Sequence, residues 1–243
     1  MNRLRSLLPL LLLILVGASL FASGVLDHFG PAAIAAERHA LQLQIAQHPL
    51  LSAAIHVGII TAAISTGIPG GVVLILAGGM LFGAVLGTVL SSIGVFLGAA
   101  VLYGASRFAF GGPAGARAPA LVDRLRQGYH AHPLSYTFFL RLVPLFPFGG
   151  VTVALAWLRC PPWLFLLATG VGGTLTTSME SLLGAGLAKN LAEKGTIDEH
   201  LLADPWFIAP LFAMGLLALL PVVLNRRRKP PANPSPPPTQ PSP

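Results

Sequence analysis

Charge is what this sequence most lacks. Only 9% of its 243 residues are Asp, Glu, Lys or Arg, where a soluble domain carries about 25%. A chain that is 54% hydrophobic with so few charges cannot cover a water-facing surface, so the bilayer is its solvent. Cysteine is nearly absent too. The single Cys160 excludes an intramolecular disulfide and a Cys-rich metal site, and no cofactor or metal is expected. Carboxylates are scarce, and Glu180 is the only one inside an expected span. Also missing are His-Glu-x-x-His, Gly-x-Ser-x-Gly and a phosphate-loop pattern. Ser178 and His56 are the conceivable nucleophile and base, but nothing in the sequence brings them together, so the chain does not read as an enzyme. The formal charge of +7 comes without a nucleic-acid-binding motif. Its basic clusters read as topology signals or contacts to anionic lipid.

What the chain does have is apolar runs punctuated by Gly and Pro. Leu7 to Leu26, behind Arg3 and Arg5, has the length of a transmembrane anchor (1–26). A cleaved signal peptide is the rival reading, given the small residues in Ser19-Leu-Phe-Ala-Ser23. Segment 27–48 reads as interfacial, with an amphipathic helix over Ala32–Ala46. Leu50–Ser65 and Val72–Phe82 are each too short to span, and Thr66-Gly-Ile-Pro-Gly-Gly71 joins them. That predicts a re-entrant hairpin over 49–82. A full span follows at 83–105, with Gly83, Gly87, Gly94, Gly98 and Gly104 spaced for close helix packing. After the loop 107–133 the pattern returns. Pro133–Pro144 and Phe148–Leu158 flank a Pro- and Gly-rich break, predicting a second hairpin (134–158) and then a span at 163–187. A last span covers 206–224, and the Pro-rich tail 230–243 is expected to be disordered.

Charge orients these pieces. The N-terminus carries two Arg, loop 107–133 nets +3 (four Arg against one Asp), and Arg226-Arg-Arg-Lys229 adds +4. By contrast, 27–48 nets −1 (one Arg against one Asp and one Glu), and 189–205 nets −2 (two Lys against four acids). The positive-inside rule places the first three in the cytoplasm and the other two outside. The two hairpins then enter from opposite sides. The expected fold is an all-α integral membrane protein. Its core is an inverted repeat of two re-entrant hairpins, each followed by a transmembrane helix, with extra N- and C-terminal spans. "PGGVVLILAGG" (69–79) lies beside "PFGGVTVALAW" (147–157) in that repeat.

These residues resemble a known family. "PGGVVLILAGGMLFGAVLGTVLSSIGVFLGAAVLYGASRF" (69–108) is similar to the first block of the DedA-like, SNARE-associated (VTT-domain) membrane proteins. The carried positions are Gly79, Phe82, Gly83, Gly87, Gly94, Gly98 and Arg107. "FFLRLVPLFPFGG" (138–150) resembles the second block, through Arg141, Pro144, Pro147 and Phe148. The resemblance covers about residues 49 to 188 and is nearer the SNARE-associated branch than DedA proper. It implies two facing hairpins and lipid handling, such as scrambling or carrier-lipid flipping, sometimes ion-coupled. Two departures stand out. Gly149 and Thr152 occupy positions where relatives often carry Asn, and Thr66–Gly71 has no acidic residue, unlike DedA proper. A proton-coupled mechanism therefore does not transfer directly.

The candidate transport pathway comprises Arg141, Pro144, Pro147, Gly149, Gly150, Gly70, Gly71, Glu180 and Arg107. Pro144 and Pro147 remove backbone donors and break the helix, and such backbone is tolerated only where protein or a wet cavity satisfies it. Arg141 near the membrane centre costs roughly 2.5–3.5 kcal/mol on insertion scales. It is retained if it pairs with an acid, caps carbonyls or binds an anion such as phosphate. The alternative is an Arg snorkelling to the cytoplasmic edge. Glu180 either neutralises Arg141, relays protons, or sits at the outer interface. His56 titrates near neutrality if exposed, or simply packs. Arg107 and Arg159 fall at span edges.

The functional expectation is a transporter-like protein of the bacterial inner membrane, with both termini cytoplasmic, that handles lipids. Its partners are membrane lipids, namely anionic phospholipid or lipid-linked phosphate, with no nucleic acid; a homo-oligomer is compatible. A structural or assembly factor without transport, and a small-solute or ion-coupled transporter, are the alternatives.

Overall fold

The computed structural model describes residues 2–23, 31–67, 70–110, 126, 129–130, 132–142, 146–194, 209 and 212. The described secondary structure is helical throughout. Helix α1 spans Asn2–Ala22, α2 Pro31–Gln47, α3 Pro49–Ser65, α4 Gly71–Phe82 and α5 Ala84–Phe110. Then come α6 (Pro133–Leu142), α7 (Phe148–Trp157), α8 (Pro162–Ala168), a π-helical turn (Thr169–Gly173) and α9 (Thr174–Lys194). The last three form one unbroken helical run. The sequence short helix, break, short helix, long helix thus occurs twice, at the positions expected from the apolar runs.

Helix α5 is the one described helix that is long and apolar enough by itself to cross a membrane. Its 27 residues extend about 40 Å at 1.5 Å per residue. One face is small: Gly87, Ser91, Gly94 and Gly98 are buried. The opposite face leaves Val85, Val89, Ile93, Leu97 and Val101 exposed at every fourth residue, an apolar stripe suited to lipid. The small face admits its neighbours closely. A Cβ on Gly94 would come within 2.8 Å of Ile60 on α3, and one on Gly87 within 2.8 Å of the Gly78 carbonyl on α4.

Two elements, α2 and the helical run over 163–187, depart from expectation. The N-terminal helix stops at Ala22, and its apolar portion is the shorter stretch Leu7–Ser19. The continuation to Leu26 lies outside the described residues. Helix α2 covers the helix expected over Ala32–Ala46, but its apolar residues do not gather on one face as an amphipathic helix requires; it meets α3 at a 117° bend, where Pro49 opens the new helix. The span expected over 163–187 is helical from Pro162 to Lys194 but is a compound helix, because the π turn widens it at Thr169–Gly173. The C-terminal span 206–224, the tail, and nearly all of the loop 111–131 lie outside the described residues.

The first break is stabilised from within. Gly67 takes φ 72°, a left-handed conformation open to glycine. The Ser65 and Thr66 hydroxyls donate to the carbonyls of Ala62 and Ala63 at 2.8 and 2.7 Å. The last-turn carbonyls of α3 therefore find partners without water. Helix α7 ends differently. Arg159 adopts φ 57°, which returns the Cys160 N–H to the Leu155 carbonyl at 3.0 Å.

Candidate functional site

Arg141 ends α6, and the protein encloses it. The residue is 6% exposed. Its Nη2 donates to Thr152 Oγ1 at 3.0 Å. Its Cζ lies 4.3 Å from the Phe148 ring centroid and 4.8 Å from that of Phe165, cation–π distances on both. Phe148 and Thr152 are four residues apart on α7, hence on one face, and Thr152 passes its own proton to the Phe148 carbonyl at 2.9 Å. Phe165 in turn stacks on Tyr103 of α5 at 4.1 Å. The Tyr103 hydroxyl donates to the Cys160 carbonyl.

Two donors of this guanidinium, Nε and Nη1, are buried and have no hydrogen-bond partner among the described residues. A buried donor left unpaired is costly, more so when charged. Among the described residues no side chain caps the N-terminus of α7, so its first-turn amides carry partial positive charge beside Phe148. The site is therefore electropositive, walled by aromatic rings, and short of an acceptor.

The other expected residues divide. Pro147 is the N-cap of α7; Pro144 lies outside the described residues. Gly149 does meet the first break: a Cβ there would sit 2.8 Å from Gly67 Cα and from the Gly67 carbonyl oxygen. A Cβ on Gly71 or Gly150 would not make that contact. Gly70 caps α4 with φ 140°, and a Cβ on Gly71 would meet Ile64 of its own hairpin at 2.7 Å. A Cβ on Gly150 would meet Pro147 Cγ. The first break, at Gly67, thus touches the first turn of α7 at Gly149.

Among the described residues, no ion pair joins Glu180 to Arg141. Helix α9 packs on α4, with a Cβ at Gly184 reaching the Leu76 carbonyl. Gly172, the residue of this helical run against Arg141, is eight positions before Glu180, about 12 Å along the axis. Arg107 Nη1 donates to the Ala156 carbonyl at 3.4 Å, a basic group at the C-terminal end of α7 as the helix dipole favours. His56 Nε2 and Ser91 Oγ are hydrogen-bonded at 3.0 Å, and Gly78 leaves room for the imidazole. This is the packing role.

Thr152, Phe165 and Tyr103 were not among the expected site residues. The i, i+4 pairing of Phe148 with Thr152 was available once the start of α7 was placed. Phe165 and Tyr103 come from other helices and carry no local signal.

A helical protein with an exposed apolar stripe and a buried, acceptor-poor arginine at a broken helix belongs to the class of membrane-associated proteins. The VTT domain family model matches residues 68–186, a stretch that contains both motif blocks and lies within residues 49–188, and the chain belongs to that VTT superfamily. The family is membrane-associated and not known for enzymatic activity. No curated protein and no solved structure matches the chain.

Proposed function

We propose that this protein moves lipid between membrane leaflets, with a phosphate-bearing lipid head group entering at Arg141. The observation that carries the proposal is the buried guanidinium with Nε and Nη1 unpartnered. A fixed cation in an aromatic setting, beside an uncapped helix N-terminus, lacks an anion rather than a proton. In this reading α3–α4 and α6–α7 are re-entrant hairpins of an inverted repeat, and Gly67 and Gly149 mark where they meet near mid-membrane. Both termini face the cytoplasm of a bacterial cell.

Reconstitution tests the function. Purified protein in liposomes carrying a fluorescent anionic phospholipid should speed its exchange between leaflets, as read by quenching from outside. Exchange no faster than in empty liposomes would leave an assembly role as the better reading. Topology is tested separately in a Cys160→Ala background. Impermeant thiol reagent should label a cysteine placed at Thr196 in intact cells and miss one at Gln127. Labelling at Gln127 would overturn the inverted arrangement.

The contact between breaks makes its own prediction. Gly149→Ala should lower lipid exchange severalfold, since its Cβ meets Gly67 backbone at 2.8 Å. Gly150→Ala, whose Cβ meets only Pro147 Cγ at 3.4 Å, should be nearly silent. Equal effects would show that the close approach does not matter to exchange.

A further inference from the structure

The π-helical turn Thr169–Gly173 interrupts a long helix beside Arg141, and no feature of the fold described so far requires it. Such turns recur at functional sites because they re-aim the side chains of one turn. Thr169 is 2% exposed, and its Oγ1 has no hydrogen-bond partner among the described residues. That is unusual for a helical threonine, which ordinarily donates to the carbonyl one turn back; Thr152 and Thr176 do so here. Its neighbours along the helix locate it. One turn earlier is Phe165, whose ring lies under the Arg141 guanidinium at 4.8 Å. One turn later is Gly172, where a Cβ would stand 3.2 Å from Arg141 Cβ. Thr169 therefore lies between the two residues of its helix that touch Arg141.

We infer that Thr169 is a second binding residue of the Arg141 site, donating its hydroxyl proton to a phosphate oxygen held by the guanidinium. The inference rests on the anion reading of Arg141 and adds the residue that selects among anions. Two orphaned buried donor groups, one charged and one neutral, on facing helices are what a tetrahedral oxyanion satisfies at once. Thr152 then has a different task. It occupies Nη2 and sets the guanidinium plane, leaving the other donors for the ligand. In the π turn Thr169 leaves uncapped the carbonyl that a helical threonine would ordinarily take.

The test uses the purified full-length chain in neutral detergent, titrated with dihexanoyl phosphatidic acid and, in a parallel arm, with inorganic phosphate. The tighter ligand identifies the source of the phosphate group. Thr169→Val keeps the side-chain shape and removes the donor. It should weaken binding roughly tenfold or more, the effect of one hydrogen bond to a charged acceptor, while Thr169→Ser should bind nearly as wild type. Without ligand, Thr169→Val should melt at or above the wild-type temperature, because an unpaired buried hydroxyl has been removed. A structural threonine would give the reverse: a lower melting temperature and unchanged affinity, which would overturn the inference. Arg141→Ala separates the two ideas. If it abolishes binding and Thr169→Val does not weaken it, the Thr169 inference alone fails. If Arg141→Ala binds as wild type, the anion reading fails with it.

Discussion

Arg141→Ala is expected to abolish lipid exchange in liposomes, and Arg141→Lys to impair it strongly, while both proteins still reach the membrane. The reason lies in how the side chain is held. A planar guanidinium lies against two rings, at 4.3 and 4.8 Å, while one nitrogen grips Thr152. Lysine keeps the charge but presents a compact ammonium with no plane to stack and no fork. It cannot bond Thr152 and offer two further donors in fixed directions. Alanine loses the charge as well. An arginine that merely snorkelled would behave otherwise: lysine would substitute fully and alanine would cost little.

The stability of the same variants tells a binding arginine from a bracing one. Two cation–π contacts at up to ~2 kcal/mol each when desolvated and one hydrogen bond of about 1 kcal/mol favour the folded state. Against them stands the burial of a cation without a counter-ion, several kcal/mol even after relaxation. The sums are comparable, so Arg141→Met, which fills the volume without charge, should leave the melting temperature nearly unchanged while exchange is lost. A large fall in stability with Met would make Arg141 a brace for the hairpin, and normal exchange in the Ala variant would remove it from the site altogether.

Much of the architecture was legible because helix ends in this chain are written in Pro and Gly. The arm read as Leu50–Ser65 is the helix Pro49–Ser65, and Val72–Phe82 is Gly71–Phe82. The site was legible only at Arg141, where a charge stands against an apolar background. Its surroundings depend on helix rotation and packing, which short apolar segments do not encode. Nothing in "TGVGG" separates a π turn from an α turn, and Glu180 looked like a counter-ion because sequence gives no measure of the 12 Å or so that the helix rise puts between it and the level of Gly172. Thr152, noted in the sequence only as a departure from Asn, supplies an acceptor to Arg141.

The second large effect concerns the joint between the two halves. Gly184→Ala is expected to lower the melting temperature on the order of 5–10 °C and to reduce exchange with it. Alanine in a helix interior is ordinarily favourable over glycine, by about 0.5–1 kcal/mol. Here the added methyl would collide with the Leu76 carbonyl oxygen of α4. The facing pair is reciprocal: a Cβ on Gly79 would collide with the Ser181 carbonyl oxygen of α9. Both obstacles are backbone, so no rotamer can yield, and the helices must separate by about 1 Å to restore van der Waals distance. Overpacking of this kind costs roughly 1–3 kcal/mol or more, which exceeds the propensity gain. The displacement would not stay local. Helix α9 continues the π turn, so moving it off α4 also moves Gly172 and Thr169 relative to Arg141. Gly104→Ala is the matched control, on the exposed side of α5 with nothing within 4 Å of the new methyl; it should gain slightly in stability and exchange lipid normally. If Gly184→Ala melts with Gly104→Ala rather than well below it, the close seating of α9 on α4 is not what holds these helices together.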